Sequence, residues 1–147
     1  MSPMAFPTEP ARAHDLPEAL ALLRRAELPT EGVVDQFGNY VVVRAEGHLV
    51  GLAGIEVHGR DGLLRSVVVD PDYRGEGAGT ALVDGALALA RHMGLAHVYL
   101  LTITARDYFT RHGFADCPRE QAPDAIRESW EFRAGCPDTS ACLRRKP

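Results

Sequence analysis

Apolar residues recur along this chain in two rhythms, one close to the helical period and one close to the strand period. Leu16, Ala19, Leu20 and Leu23 share one helical stripe. Asp15, with Glu18 three residues on, has the spacing of a capping box, so the pattern predicts a helix from Asp15 to about Glu27. Leu28-Pro29-Thr30-Glu31-Gly32-Val33-Val34 interrupts it and leads into a loop or a short second helix. Valine-rich runs follow at 40–45, 49–58 and 63–69, separated by Glu46-Gly47-His48 and Gly59-Arg60-Asp61-Gly62, which predicts an antiparallel meander. The helical period returns over 77–93, with Leu82, Ala86, Leu89, Ala90 and Met93 in register and Gly94 as the C-cap. Residues 98–104 read as a strand, 105–112 as a short helix closed by Gly113, 123–129 as a helical turn and 130–133 as a last strand. The order α, three β, α, β, α, β is that of an α/β sandwich on a mixed sheet.

Alternation within the meander assigns its faces. A hairpin closing over 59–62 pairs His58 with Leu63 and Glu56 with Arg65. Glu56, His58 and Arg65 then project from one face, and Ile55, Val57 and Leu64 from the other. Polar residues of both signs on one face of central strands suggest a site, with Glu56 or His58 as a base and Arg65 as the anchor for a carboxylate or other anion. The competing reading is a solvated face on which Glu56 and Arg65 form an exposed cross-strand pair of little worth.

Composition narrows the setting. The 147 residues, 46% hydrophobic and 24% charged, suit one soluble domain over the whole chain. A net charge of −4 gives no support for a nucleic-acid or anionic-membrane partner. No apolar run approaches a membrane span, and the first residues lack a signal peptide's basic start and apolar stretch, so the expected location is cytoplasmic. Cys117, Cys136 and Cys142 are odd in number and make no disulfide framework; neither Cys136-x5-Cys142 nor His92-x4-His97 has a zinc spacing, so no metal is expected. Tyr99, Trp130 and Phe132 read as core or rim packing, since no basic residues interleave with them.

The most informative stretch is Val67-Val68-Val69-Asp70-Pro71-Asp72-Tyr73-Arg74-Gly75-Glu76-Gly77-Ala78-Gly79-Thr80. A valine strand ends at a proline turn, and a glycine-rich loop opens a long amphipathic helix. Backbone N–H groups without β-carbons beside them approach a diphosphate closely, and the helix N-terminus adds positive potential. A dinucleotide fingerprint needs a third glycine where Thr80 or Leu82 stands, and a P-loop needs a lysine that is absent. The plain alternative is a turn that only packs helix on strand.

Arg74-Gly75-Glu76-Gly77-Ala78-Gly79 resembles the R-x-x-G-x-G signature of the GCN5-related N-acetyltransferases, and Ala105…Phe109…Gly113-Phe114 resembles the helix after that family's fifth strand. The likeness runs from about Pro10 to Phe114. Segments 28–33, 51–59, 62–67 and Cys136-Pro137-x-x-Ser140-Ala141 look like a bacterial subgroup associated with arsenic resistance. The resemblance implies a mainly antiparallel mixed sheet with helices on both faces and acetyl-coenzyme A as co-substrate. It implies that Val67, Val68 and Val69 pair with the pantetheine arm, that Arg74 to Thr80 hold the pyrophosphate, and that the strands at 63–69 and 98–104 splay apart. The backbone N–H near Val67 or Val68 would face the developing oxyanion. Glu31 lies where relatives shape the acceptor pocket, and Thr102 and Thr104 where they place a polar group, though Thr104 replaces a frequent asparagine. Phe109 stands at the position of a frequent tyrosine acid, beside Tyr108, and is expected to pack on the cofactor arm. The implied activity is acetyl transfer to a small-molecule amine, amino-acid-like or arsenic-related, by a monomer or a homodimer paired along the edge strand 130–133. Protein or peptide acetylation and non-catalytic acyl-coenzyme A sensing are the alternatives.

Overall fold

The computed structural model describes residues 6–135 and 140–147. Among these, seven strands form one sheet: β1 (Glu9–Pro10), β2 (Tyr40–Ala45), β3 (His48–His58), β4 (Asp61–Val69), β5 (His97–Thr102), β6 (Ala115–Asp116) and β7 (Ala141–Arg145). Their order is β1-β2-β3-β4-β5-β7-β6. Every pairing is antiparallel except β4 with β5, which the helix α3 (Ala78–His92) connects as a parallel crossover. The other helices are α1 (Leu16–Arg25), α2 (Val33–Gln36), α4 (Arg106–Arg111) and α5 (Asp124–Arg127).

Strand alternation divides the core. Ala53, Ile55 and Leu64 pack one face of the sheet against Leu82, Val83, Ala86, Leu87 and Ala90 of α3 and against Phe109 of α4. Leu52 and Val68 turn the other way, toward Ala19, Leu22 and Leu23 of α1 and Val33 of α2. On that second face a separate cluster forms around Leu63, Tyr99, Leu101, Ile126 and Phe132. The two apolar clusters leave a polar stretch between them, where Glu56 and Arg65 lie.

β4 and β5 pair only between Asp61–Leu63 and His97–Tyr99, and beyond that point no ladder joins them. A bulge accompanies the divergence. Leu52 opposes Val68 and Gly54 opposes Arg65, so Ser66 and Val67 together face the single residue Ala53. Ser66 adopts φ 61°, a left-handed conformation costly for a non-glycine residue. The Tyr40 hydroxyl lies 2.9 Å from Ser66 Oγ. Tyr40 fits there because Gly54 has no side chain; a Cβ on Gly54 would come within 2.2 Å of the Tyr40 ring.

Several local expectations give way to tertiary partners. α1 ends at Arg25, two residues before Glu27, whose φ is 58°. The Asp15–Glu18 capping box does not form: buried Asp15 accepts from the Arg12 N–H at 2.8 Å and pairs with Arg44, and Glu18 accepts from the Leu49 N–H at 3.0 Å. The hairpin closes on Gly59-Arg60, so His58 pairs with Asp61, Glu56 with Leu63 and Gly54 with Arg65. This register is two residues from the one expected, and an even displacement leaves every side chain on its expected face. β5 stops at Thr102, whose Oγ1 accepts from the Ala105 N–H at 3.0 Å and turns the chain before Thr104.

The expected strand at 130–133 is a correction. Residues Glu131–Gly135 form a π-helical turn, in which Phe132 is buried against the cluster around Ile126. The last strand is β7, inserted between β5 and β6, and the two edges of the sheet are the two-residue strands β1 and β6. No edge at 130–133 remains for pairing with a second copy. Cys117 and Cys142 are free, buried thiols; Cys136 and the Cys136-Pro137 part of the finer resemblance lie outside the described residues.

Candidate active site

Two cavities meet where β4 leaves β5, and Leu28 and Val67 line both. The first, about 570 Å³, runs along Val67, Val68 and Val69 to Arg74, Gly75, Gly77, Gly79, Thr80 and Tyr108. Gly77 adopts φ 93° at the N-cap of α3, a conformation L side chains rarely take. No side chain caps the helix there and its first turn carries no acid, so its leading N–H groups and the positive end of its dipole face the loop. Open space surrounds Gly75 and Gly77, which fits a diphosphate lying against the backbone. Arg74 Nε donates to the Val69 carbonyl at 3.2 Å, which sets its side chain at the end of β4. Glu76 and Ala78 do not line the cavity: Glu76 is exposed, and Ala78 faces the core.

The second cavity, about 630 Å³, is the gap between β4 and β5. Its walls are Leu64 to Val67 on one side and Leu100 to Ala105 with Phe109 on the other, and Glu27, Pro29, Glu31, Trp130 and Glu131 rim it. Thr102 and Thr104 both reach this wall. Phe109 is mostly buried here, edge-on to Phe114, whereas Tyr108 lines the first cavity, and the position of a Cβ on Gly79 would be 3.1 Å from the Tyr108 hydroxyl. The adjacent side chains thus serve different cavities, as their roughly 100° separation on a helix requires.

Arg65 is 5% exposed. Its Nη1 donates to Glu56 Oε2 at 2.8 Å and its Nη2 to the Pro29 carbonyl at 3.4 Å, while Nε, also buried, has no acceptor. The other Glu56 oxygen, Oε1, lies 2.6 Å from His58 Nε2. The hydrogen bond with His58, then that with Arg65, holds the Glu56 carboxyl below its usual range against the opposing effect of burial. Burial opposes the Arg65 charge, but neighbouring Tyr40, Glu56 and Glu131 outweigh it and hold the guanidinium above its ordinary value. Glu56 and His58 reach the cleft through Arg65 and do not line it; Glu31 does, from the exposed loop after α1.

Three participants escape sequence reasoning. Glu131 sat in an expected strand, and Tyr40 and Ser66 in strands with no polar pattern to mark them. A serine between Arg65 and a valine run is the sole signal of the bulge. Among the described residues no group of three or more His, Cys, Asp or Glu side chains is placed to hold a metal ion. Burial pushes the Cys142 thiol up to about 12, so it is no nucleophile near neutral pH.

The family model described as "Acetyltransferase (GNAT) family" matches residues 5–114. The chain belongs to the GNAT acetyltransferase family. Among curated proteins the GNAT domain is 32% identical over 120 residues to an amino-acid acetyltransferase of Pseudomonas putida, covering 80% of this chain and 27% of that protein. It is 41% identical over 71 residues to an amino-acid acetyltransferase of Mycobacterium tuberculosis, covering 48% of this chain and 40% of that one. It therefore spans well under half the length of these relatives. Among solved structures it superposes on the N-acetylglutamate synthase of Neisseria gonorrhoeae complexed with coenzyme A and N-acetyl-glutamate, with TM-score 0.85 and 20% identity, over 99% of this chain and 36% of that one. A Mycobacterium tuberculosis protein solved with coenzyme A matches with TM-score 0.82 and 23% identity over 96% of this chain and 99% of that one. These likenesses establish the fold.

Proposed function

We propose that the GNAT domain transfers the acetyl group of acetyl-coenzyme A to the amine of an amino-acid-like small molecule. The observation that carries this reading is the buried Arg65 guanidinium, one donor of which is unused, on the wall of a cleft that opens beside the glycine loop. In this reading acetyl-coenzyme A supplies an activated thioester carbonyl, with its diphosphate against Arg74, Gly75, Gly77, Gly79 and Thr80 and its arm along Val67 to Val69. Arg65 takes the acceptor's carboxylate through its free edge. Glu56 and His58 hold Arg65 in position, and the bulge at Ser66 turns the Val67 N–H toward the carbonyl oxygen.

The amine nitrogen bonds to the thioester carbon, the carbon–sulfur bond breaks, and the proton lost from nitrogen passes to a cleft carboxylate, Glu31 or Glu131, directly or through water. The leaving thiolate takes its proton from solvent or from the Tyr108 hydroxyl at the junction of the cavities. The names of the curated relatives support an amino-acid acceptor. An organoarsenical amino acid, which the finer resemblance suggests, presents the same ammonium and carboxylate and belongs among the acceptors tried.

Thiol release measured over an amino-acid and amine panel tests the reading. Release requiring both acetyl-coenzyme A and an acceptor with a free carboxylate is expected. Arg65→Lys is expected to raise the acceptor KM by about tenfold or more while leaving the affinity for acetyl-coenzyme A within about twofold. Equal turnover of acceptors with and without a carboxylate would sink the assignment of Arg65, and binding without transfer to any acceptor would favour a sensor.

A further inference from the structure

Large apolar side chains stand in water on the rim of the cleft that holds Arg65. Among the described residues the exposed large hydrophobics are Val34, Ile103 and Trp130, and the last two, 68% and 38% exposed, both line this cleft. Single exposed apolar residues are ordinary on a protein surface, but two on the rim of one cavity mark a place that a ligand covers. Their neighbours hold both in place. Ile103 stands in the turn closed by the Thr102 Oγ1 bond to the Ala105 N–H at 3.0 Å. Trp130 follows buried Ser129, whose carbonyl accepts from the Arg133 N–H at 3.0 Å, and precedes Phe132, which is packed into the apolar cluster beyond. Leu28 and Pro29, half-buried after α1, continue the apolar mouth. The polar groups nearby offer less to a bound side chain. Ser66 Oγ and Thr102 Oγ1 are engaged with Tyr40 and Ala105, and Glu27 and Glu31 are exposed, where solvent screens their charge.

Resting on the amino-acid reading above, we infer that Trp130 and Ile103 form the acceptor's side-chain subsite, and that this subsite selects amino acids with apolar side chains, aromatic ones included. With its carboxylate on Arg65 and its amine at Val67, both on the β4 wall, the acceptor has its side chain left to meet the opposite wall and the rim. Apolar surface laid over the indole and the isoleucine removes all three from water, whereas a polar side chain there gives up its own hydration.

The near-isosteric pairs leucine and asparagine, and valine and threonine, isolate polarity from shape. The experiment compares kcat/KM within each pair with the intact chain and acetyl-coenzyme A, and identifies the acetylated product by mass. Leucine is expected to be preferred over asparagine by at least about tenfold, and valine over threonine by about fivefold or more. In Trp130→Ala the preference for phenylalanine over alanine is expected to fall by about tenfold, and Trp130→Phe, which keeps an aromatic face, is expected to retain most of it. Trp130 is the chain's one tryptophan, so its fluorescence reports the subsite without turnover. Leucine added to the coenzyme A complex is expected to move the emission to shorter wavelength, and asparagine at the same concentration to leave it in place. Equal or better use of asparagine by the unaltered protein, or an unchanged preference in Trp130→Ala, overturns this inference and leaves the amino-acid reading intact. Failure to acetylate any amino acid, with acetyl-coenzyme A bound, overturns both.

Discussion

Tyr40 and Ser66 meet across the sheet in a hydrogen bond of 2.9 Å, and among the described residues Ser66 is the one strand residue with a left-handed φ. The bond pins a strained bulge at the point where the two cavities join, so Tyr40 is a positioning residue. Tyr40→Phe is expected to lower stability by about 1 kcal/mol and kcat by about tenfold, with the acetyl-coenzyme A affinity nearly unchanged. Ser66→Gly in the Tyr40→Phe background, which removes the backbone strain, is expected to recover part of the lost kcat. Equal kcat in Tyr40→Phe and the unaltered protein would remove Tyr40 from the account. Glu56 carries a second prediction. Its carboxyl is held below the ordinary value of 4.5, so its contribution to stability is complete above that pH and is lost as pH falls below it. Thermal melts on descending from neutral pH to about pH 3 should show that loss, and Glu56→Gln should flatten this part of the profile. Glu56→Gln is also expected to cost about 3 kcal/mol, because it leaves the buried Arg65 charge poorly matched. None of the Tyr40, Ser66 and Gly54 arrangement is legible in the sequence, because it depends on a ring filling the space above a glycine in a neighbouring strand.

Elements with strong periodicity were legible and those settled by partners were not. The stripes of α1 and α3, the meander and the loop opening α3 follow from local patterns, and the structure confirms them. The face shared by Glu56, His58 and Arg65 was also legible, although the hairpin register differs by two, since parity alone assigns faces. The turn at Glu131–Gly135 was not: Trp130-Glu131-Phe132-Arg133 alternates as a strand does, but burial of Phe132 against Ile126 and Cys117 decides its conformation. β7 has no counterpart among the expected elements, which end at the strand over 130–133. At the loop, Gly77→Val puts a β-branched side chain at φ 93° over the N-terminus of α3. Calorimetric titration with acetyl-coenzyme A is expected to show affinity weakened by about a hundredfold or more, while far-ultraviolet circular dichroism stays unchanged. Unaltered affinity would mean that the diphosphate lies elsewhere.

In the whole molecule, the sheet works as a clamp that is closed at one end and open at the other. Pairing of β4 with β5 stops at Leu63 and Tyr99, and helices pack on both faces of the sheet. The glycine loop opens on one side of the gap and the Arg65 cleft on the other, so two substrates would meet at Val67 without either crossing the core. The domain spans about a quarter of the Pseudomonas amino-acid acetyltransferase, so this reading concerns chemistry contained in a single GNAT unit. The direct test is a mass measurement after incubating the protein with acetyl-coenzyme A labelled in its acetyl group and an equimolar mixture of amino acids. The account expects the label on a free amino acid, with coenzyme A released in equal amount and the protein unlabelled. Label accumulating on the protein, or intact acetyl-coenzyme A in the presence of every acceptor, would contradict it.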